Sequence, residues 1–96
     1  MSKVIGIDYG KKRIGIAISD IDQKIAFPLI TVENNKPIEV LKKIIESEKV
    51  ASIVVGVPIN LDGSNTDATE MCFKFHLRLK KEFPKINHFV EDERLT

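Results

Sequence analysis

Residues 1–20 read MSKVIGIDYGKKRIGIAISD, and this stretch predicts how the fold begins. Two runs rich in Ile and Val, at about 3–8 and 13–19, are typical of β-strands. The residues between them suit a hairpin turn in which Gly10 is able to adopt a positive φ. The first strand therefore carries a carboxylate, Asp8, at its end. The densest basic cluster of the chain follows it and comprises Lys11, Lys12 and Arg13. Taken alone, a basic run of this kind is usually a solvated turn.

The remainder of the chain alternates between strand and helix patterns. A third strand is predicted at about 25–32, with Pro28 placing it at a sheet edge or a bulge. Apolar residues at helical spacing predict a helix that begins at 34–37 and runs to about residue 49. The segment ASIVVG at 51–56 predicts a strand buried on both faces, ended by Pro58.

A second helix is predicted from 67–70, where Asp67 and Glu70 have the spacing of a capping box, and Pro84 ends it. Its apolar face comprises Ala68, Met71, Cys72, Phe75 and Leu79. His76 falls on its polar side and is predicted to lie on the surface. A last strand at 86–90, in which His88 is interpreted as a structural residue, runs into Glu91, Asp92, Glu93 and Arg94.

The predicted order βββαβαβ indicates an α/β fold. The first three strands are expected to form an antiparallel meander, and the two helical crossovers imply parallel strands in the same mixed sheet. Such sheets bind ligands outside the carboxyl ends of their parallel strands. Asp8, the Gly-Val-Pro segment at 56–58 and the acidic segment at 91–94 are all expected at such ends. They are far apart in sequence but could converge in space.

Composition narrows the class of protein. The chain has 96 residues, 43% apolar and 30% charged, which is typical of one soluble globular domain. Neither a membrane-spanning apolar run nor a secretory leader is recognised, so a cytoplasmic location is expected. Cys72 is the only cysteine, which excludes an intramolecular disulfide and argues against a cysteine-based zinc site.

Carboxylates at neighbouring strand ends indicate a site for a hard cation. Mg²⁺ prefers oxygen ligands and is usually held by one or two carboxylates together with substrate phosphate. Bound metal ions promote hydrolysis of phosphodiesters, and nearby Lys or Arg side chains would contact the phosphate backbone. Because carboxylates commonly end strands, spacing alone leaves a solvated turn acid as an equal explanation for Asp8 and as the favoured one for Asp92.

Three motifs in order resemble the YqgF (RuvX) family across the whole chain. The first is the segment GIDYG at 6–10 with KRIGIA at 12–17 and Ser19-Asp20. The second is VGVP at 55–58 followed by Leu61-Asp62-Gly63, and the third is DERLT at 92–96. This resemblance implies a single RNase H-like domain over residues 1–96.

The resemblance also implies an activity and its residues. Family members are described as Holliday junction resolvases or as nucleases that trim precursor 16S rRNA. The family pattern makes Asp8 and Glu93 the catalytic metal ligands, for Mg²⁺ or Mn²⁺, and Arg94 a phosphate-facing residue. Lys11, Lys12 and Arg13 are expected to contact nucleic acid, either precursor ribosomal RNA or branched DNA.

The family pattern continues for some tens of residues beyond the third motif, through a helix with another metal-binding Asp. The domain is therefore expected to be C-terminally incomplete relative to the family. With two acids instead of three, the chain is expected to show little or no nuclease activity by itself. An uncovered sheet face would also favour a homodimer.

Two other functions stay open. The chain could be a non-catalytic nucleic-acid-binding or assembly module. Alternatively, GIDYG resembles the first phosphate-binding hairpin of actin-like and sugar-kinase-type ATPases. Those enzymes clamp a nucleotide between two such domains, and 96 residues supply one at most.

Overall fold

A computed structural model of the chain describes residues 3–19, 26–59 and 66–94. Asp20, the Leu61-Asp62-Gly63 part of the second motif, and Leu95-Thr96 lie outside these residues. The described elements follow the predicted order βββαβαβ. They are β1 (Lys3–Tyr9), β2 (Arg13–Ser19), β3 (Ala26–Glu33), α1 (Pro37–Glu48), β4 (Val50–Ile59), α2 (Asp67–Glu82) and β5 (Asn87–Arg94).

The strands form one mixed sheet in the order β3-β2-β1-β4-β5. The first three strands pair antiparallel, whereas β4 pairs parallel with both β1 and β5. The predicted meander and parallel strands are therefore both confirmed. Pro28 lies in the edge strand β3, next to a register shift between Ile16 and Ala17 of β2. An edge position with a local irregularity is where proline is tolerated, because it donates no ladder hydrogen bond.

The hydrophobic core lies on one face of the sheet. Alternate residues of each central strand point to this face, as the strand period of two requires. Helices α1 and α2 both pack there, α1 through Leu41 and α2 through Phe75 and Leu79. The fully or nearly fully buried side chains of the sheet are Ile5, Ile7, Ile14, Ile16, Ile18, Val50, Ile53, Val55 and Val57.

The opposite face of the sheet carries small residues and is open. Gly6, Gly15, Ala17, Ser19 and Gly56 line a groove along this face. The prediction that β4 is buried on both faces is wrong, because Ser52 and Val54 on the open side are only partly buried. The alternation of β4 side chains, and not its apolar composition, decides which of them enter the core.

Strand β4 does not stop at Pro58, contrary to the prediction. It continues to Ile59, and Pro58 pairs in register with Glu93 of β5. The pairing between β4 and β1 already ends at Val55. Pro58 therefore has a strand neighbour on one side only, and its missing N–H costs no hydrogen bond to β1.

The start of α2 is capped by Thr66 and Thr69, and not by the predicted pair Asp67 and Glu70. The Thr66 side chain accepts a hydrogen bond from the Thr69 amide at 3.1 Å, and Thr69 Oγ1 accepts one from the Thr66 amide at 2.9 Å. Thr69 is fully buried, and its hydroxyl also donates to the Pro58 carbonyl. This contact ties the beginning of α2 to the carboxyl end of β4.

The helices are short, with 12 residues in α1 and 16 in α2. Across the ranges 3–19, 26–59 and 66–94, neither helix combines the length and apolar character that a bilayer span requires. An ion pair of 2.7 Å between Lys3 Nζ and Glu48 Oε1 joins the start of β1 to the end of α1.

Candidate active site

The acidic segment at 91–94 belongs to strand β5 and not to a loop beyond it. The sequence pattern predicted that the strand would end at residue 90, whereas β5 runs from Asn87 to Arg94. Consecutive residues of a strand point to opposite faces of the sheet. Glu91 lines the groove of the open face, and Asp92 alternates to the other face.

Asp8 and Glu91 lie in one row across the sheet. Asp8 pairs with Gly15 of β2, and Gly56 of β4 pairs with Glu91 of β5. Ile7 pairs with Val55, so Asp8 and Gly56 come one residue later in parallel register. The row is completed on β3 by Thr31, which pairs with Gly15. Its order is therefore Thr31, Gly15, Asp8, Gly56, Glu91.

Glycines on both sides of Asp8 keep this row open. A Cβ atom on Gly15 would lie 3.5 Å from Asp8 Cβ, in ordinary contact. A Cβ on Gly6, two residues before Asp8, would meet nothing within 4 Å. The resulting groove has a volume of about 670 Å³, with Asp8 and Glu91 among its lining residues.

The donor set of this groove suits a hard cation. Both carboxylates are exposed, and within the described part of the chain neither makes an ion pair or accepts a hydrogen bond. Carboxylate oxygens are the ligands that Mg²⁺ and Mn²⁺ prefer. Among the described side chains, His, Cys, Asp and Glu form no group of three that could hold a metal ion. Asp8 and Glu91 are thus a pair of carboxylates to which further oxygen ligands would have to be added.

Glu93 and Arg94, the other predicted site residues, occupy the last two positions of β5. Glu93 pairs with Pro58 and Arg94 with Ile59. Their side chains lie outside the described ones. In register, the Glu93 position is two residues further along β5 than the row that contains Asp8. The structure thus places Asp8 and Glu91 along one groove, whereas the sequence pattern distinguishes Glu91 only as one member of an acidic segment.

The predicted basic residues surround a second, smaller groove at the β1–β2 turn. Lys11, Lys12 and Arg13 are exposed and line it together with Glu33, Asn34 and Asn35. The turn requires Gly10 because of a close backbone contact, and not because of the positive φ that glycine permits. A Cβ on Gly10 would lie 2.7 Å from the Arg13 carbonyl oxygen, so the close approach of the backbone excludes any larger residue.

Asn34 holds this basic turn in place, a role that the sequence pattern did not indicate. Its backbone N–H donates to the Lys12 carbonyl at 2.8 Å, and its side-chain Nδ2 donates to the Gly10 carbonyl at 2.9 Å. These contacts connect the segment after β3 to the turn that follows Asp8. A polar residue after a strand is too common in sequences to indicate such a contact beforehand.

We expect Asn34→Ala to lower the free energy of unfolding by about 1 kcal/mol, because it removes one partly buried hydrogen bond. Hydrogen exchange at Lys11 and Lys12 should accelerate at the same time. Asn35→Ala is the matched control, because Asn35 is exposed and its bond to the Glu33 carbonyl comes from the backbone. Equal exchange rates in the two variants would contradict the role given to Asn34.

His76 and His88 form a pair between α2 and β5. Their ring centroids lie 6.3 Å apart in an edge-on arrangement, and His88 Nε2 contacts the Phe83 carbonyl at 2.8 Å. His76 is partly buried, which corrects its predicted surface position, and His88 has the structural role that was predicted. Within the described residues, the Nδ1 atoms of both rings are buried without a hydrogen-bond partner. Burial, followed by the charges of Lys80 and His88, lowers the pKa of His76.

This lowered pKa predicts a loss of stability in mild acid. The unfolded chain binds a proton at His76 with a pKa near 6.5, whereas the folded chain does so only at lower pH. The contribution of neutral His76 is therefore fully present above about pH 6.5 and is lost as the pH falls through the folded pKa. Urea midpoints at pH 7.5 and 5.5 should diverge more for the wild type than for His76→Gln. Parallel pH profiles would contradict this assignment.

Comparison with protein families matches almost the whole chain to one family. The RuvX family model, described as Holliday junction resolvase, matches residues 2–96. A Rickettsia akari protein named "Putative pre-16S rRNA nuclease" is 42% identical over 98 residues, which cover 99% of this chain and 63% of that protein. A relative of the same name from Maridesulfovibrio salexigens is 43% identical over 98% of this chain and 71% of its own. The chain thus spans about 63% of the length of the Rickettsia akari protein.

Solved structures show the same fold at low sequence identity. T. thermophilus RuvC in complex with a Holliday junction substrate superposes with a TM-score of 0.64 and 11% identity, over 96% of this chain and 65% of that one. A propionate kinase from Francisella tularensis superposes with a TM-score of 0.57 and 14% identity, over 96% of this chain and 37% of the kinase. The RuvC match confirms the RNase H-like fold. The chain belongs to the RuvX family.

Proposed function

We propose that this chain is the Asp8-bearing part of a metal-dependent nuclease that acts on structured nucleic acid. The observation that carries the proposal is the open groove in which Asp8 and Glu91 face the same space across Gly56. The names of the 42–43% identical relatives support precursor 16S rRNA as a substrate, and the family description supports branched DNA. Because the chain spans only part of those relatives, the activity proposed is that of the whole protein.

Two groups of residues divide the proposed roles: one group binds the cation, and the other contacts the phosphate backbone. Asp8 and Glu93 would hold Mg²⁺ or Mn²⁺, which would supply charge neutralisation of the scissile phosphate and a more acidic bound water. Lys11, Lys12 and Arg13 would contact the nucleic-acid backbone beside that site. Such contacts orient the substrate without reading its sequence. Arg94, the last residue of β5, is proposed as a further phosphate contact on the family pattern alone.

Two surface features support this division. The basic turn begins three residues after Asp8, and its side chains line a separate groove at the β1–β2 turn. Asn34 holds that turn through two hydrogen bonds, which reduces the entropy lost when the turn orders on a ligand. A cytoplasmic location and a homodimer stay predictions.

The test is incubation of the chain with 5′-extended 16S precursor RNA and with a four-way DNA junction, each with Mg²⁺, Mn²⁺ or EDTA. We expect slow cleavage that requires the metal ion, and binding that weakens steeply as salt rises. Salt-dependent binding without metal-dependent cleavage, both by this chain and by a version extended at its C-terminus to the length of the Rickettsia akari relative, would overturn the nuclease proposal in favour of a non-catalytic binding module. ATP binding in place of nucleic-acid binding would overturn it in favour of the ATPase alternative.

A further inference from the structure

We propose that Glu91 is a further carboxylate ligand of the cation site, in addition to Asp8 and Glu93. The inference deepens the proposed function and rests on it. None of the three motifs that resemble the family includes residue 91. This residue immediately precedes the third motif. The assignment comes from the register of the sheet.

Glu91 lies in the same row across the sheet as Asp8. Glu91 pairs with Gly56, the residue that stands next to Asp8 in parallel register with β1. Two strand spacings separate Asp8 from Glu91, which places their Cα atoms about 10 Å apart. Gly56, the residue between them, has no side chain. The two carboxylates can therefore extend into the same space from opposite sides.

Glu93 lies outside that row. Glu93 pairs with Pro58, so its Cα lies about 6.6 Å further along β5 than that of Glu91. Strand β1 ends at Tyr9 and has no residue left to pair at that level. Positions 91 and 93 are the acidic positions of β5 that alternate towards the open face. Of these two, position 91 is the one in register with Asp8.

The Glu91 side chain also suits this role. It is exposed, it lines the groove with Asp8, and among the described residues it has no cationic or hydrogen-bonding partner. Both carboxylates are therefore free to accept a divalent cation in the groove. Asp92, the next residue, alternates to the other face and is not expected to contribute.

The experiment is a titration of the 96-residue chain with Mn²⁺, followed by electron paramagnetic resonance of the free ion. We expect Glu91→Gln to weaken Mn²⁺ binding by about tenfold or more, because loss of a direct ligand should cost at least as much as loss of an outer partner. Asp8→Asn should weaken it at least as strongly. Glu46→Gln is the matched control, since Glu46 is an exposed residue of α1 on the covered face.

Each outcome separates the two proposals. If Asp8→Asn loses Mn²⁺ and Glu91→Gln binds like the wild type, the role of Glu91 is overturned and the proposed function stands. If wild-type chain binds no Mn²⁺, or all three variants bind it equally, the cation site itself is overturned. Thermal unfolding of Glu91→Gln should match that of Glu46→Gln, because both residues are exposed. Equal losses of Mn²⁺ binding in these two variants would show a general effect of charge and would also overturn the assignment.

Discussion

Replacement of Asp8 by Asn is expected to reduce metal-dependent cleavage by at least about 100-fold, to the level seen with EDTA. Residues that act as one catalytic unit are strongly non-additive, so removal of a single member loses most of the rate. Asn keeps the shape of the side chain and removes the negative charge. The measurement is single-turnover cleavage of 5′-extended 16S precursor RNA with Mn²⁺ in excess.

The fold should tolerate this change. Asp8 is exposed, and its nearest neighbour across the strand is Gly15, whose hypothetical Cβ would lie 3.5 Å away. Asp67→Asn is the matched control, because Asp67 is an exposed residue in the first turn of α2. Its cleavage rate should equal that of the wild type. Undiminished cleavage by Asp8→Asn, with an unchanged melting temperature, would contradict the role of Asp8 as a metal ligand.

The largest effect on stability is expected for Phe75→Ala. Phe75 is 3% exposed and stacks on Tyr9 with ring centroids 4.4 Å apart. Truncation of a buried Phe typically costs about 3–5 kcal/mol, through lost burial and the cavity that remains. Domains have a total stability of about 5–15 kcal/mol, and this one is near the small end of the usual size range. Urea unfolding should therefore show a much lower midpoint.

Phe73→Ala on the same helix is the control for this prediction. Phe73 is 39% exposed, so the same chemical change should alter stability far less. Phe75→Leu keeps most of the buried volume and should fall between the two. If Phe75→Ala fails to fold, Phe75→Leu supplies the comparison. Equal midpoints for Phe75→Leu and Phe73→Ala would contradict the core position of Phe75.

The order of elements could be predicted because each element has a local pattern. Isoleucines at a period of two in 3–8 and 13–19 predict strands, and apolar residues at helical spacing predict α1 and α2. Pro37 and Pro84 mark a helix start and a helix end through their own backbone chemistry. These properties require no knowledge of neighbouring elements, and the structure confirms them within one or two residues at most boundaries.

The wrong predictions concern residues whose structure depends on contacts with a neighbouring strand or helix. Pro58 stays in β4 because β1 has already ended beside it, which no local pattern shows. Thr66 and Thr69 cap α2, and the Thr69 hydroxyl also donates to the Pro58 carbonyl, a contact with β4 that no local pattern shows. His76 is partly buried because β5 brings His88 against it. In each case the competing contact is distant in sequence.

For the candidate site, the sequence by itself determined which residue types are available. It supplied Asp8 at the end of a strand, a basic turn directly after it, an acidic segment near the last strand, and the three motifs of the RuvX family. Only the tertiary structure decided which acid lies in the same row and groove as Asp8. Side chains alternate between faces along a strand, so a boundary shift of a few residues moves an acid from a loop into the sheet and onto one defined face. Register across β1, β4 and β5 then places Glu91 level with Asp8, because pairing between strands is a property of the sheet and not of any one segment.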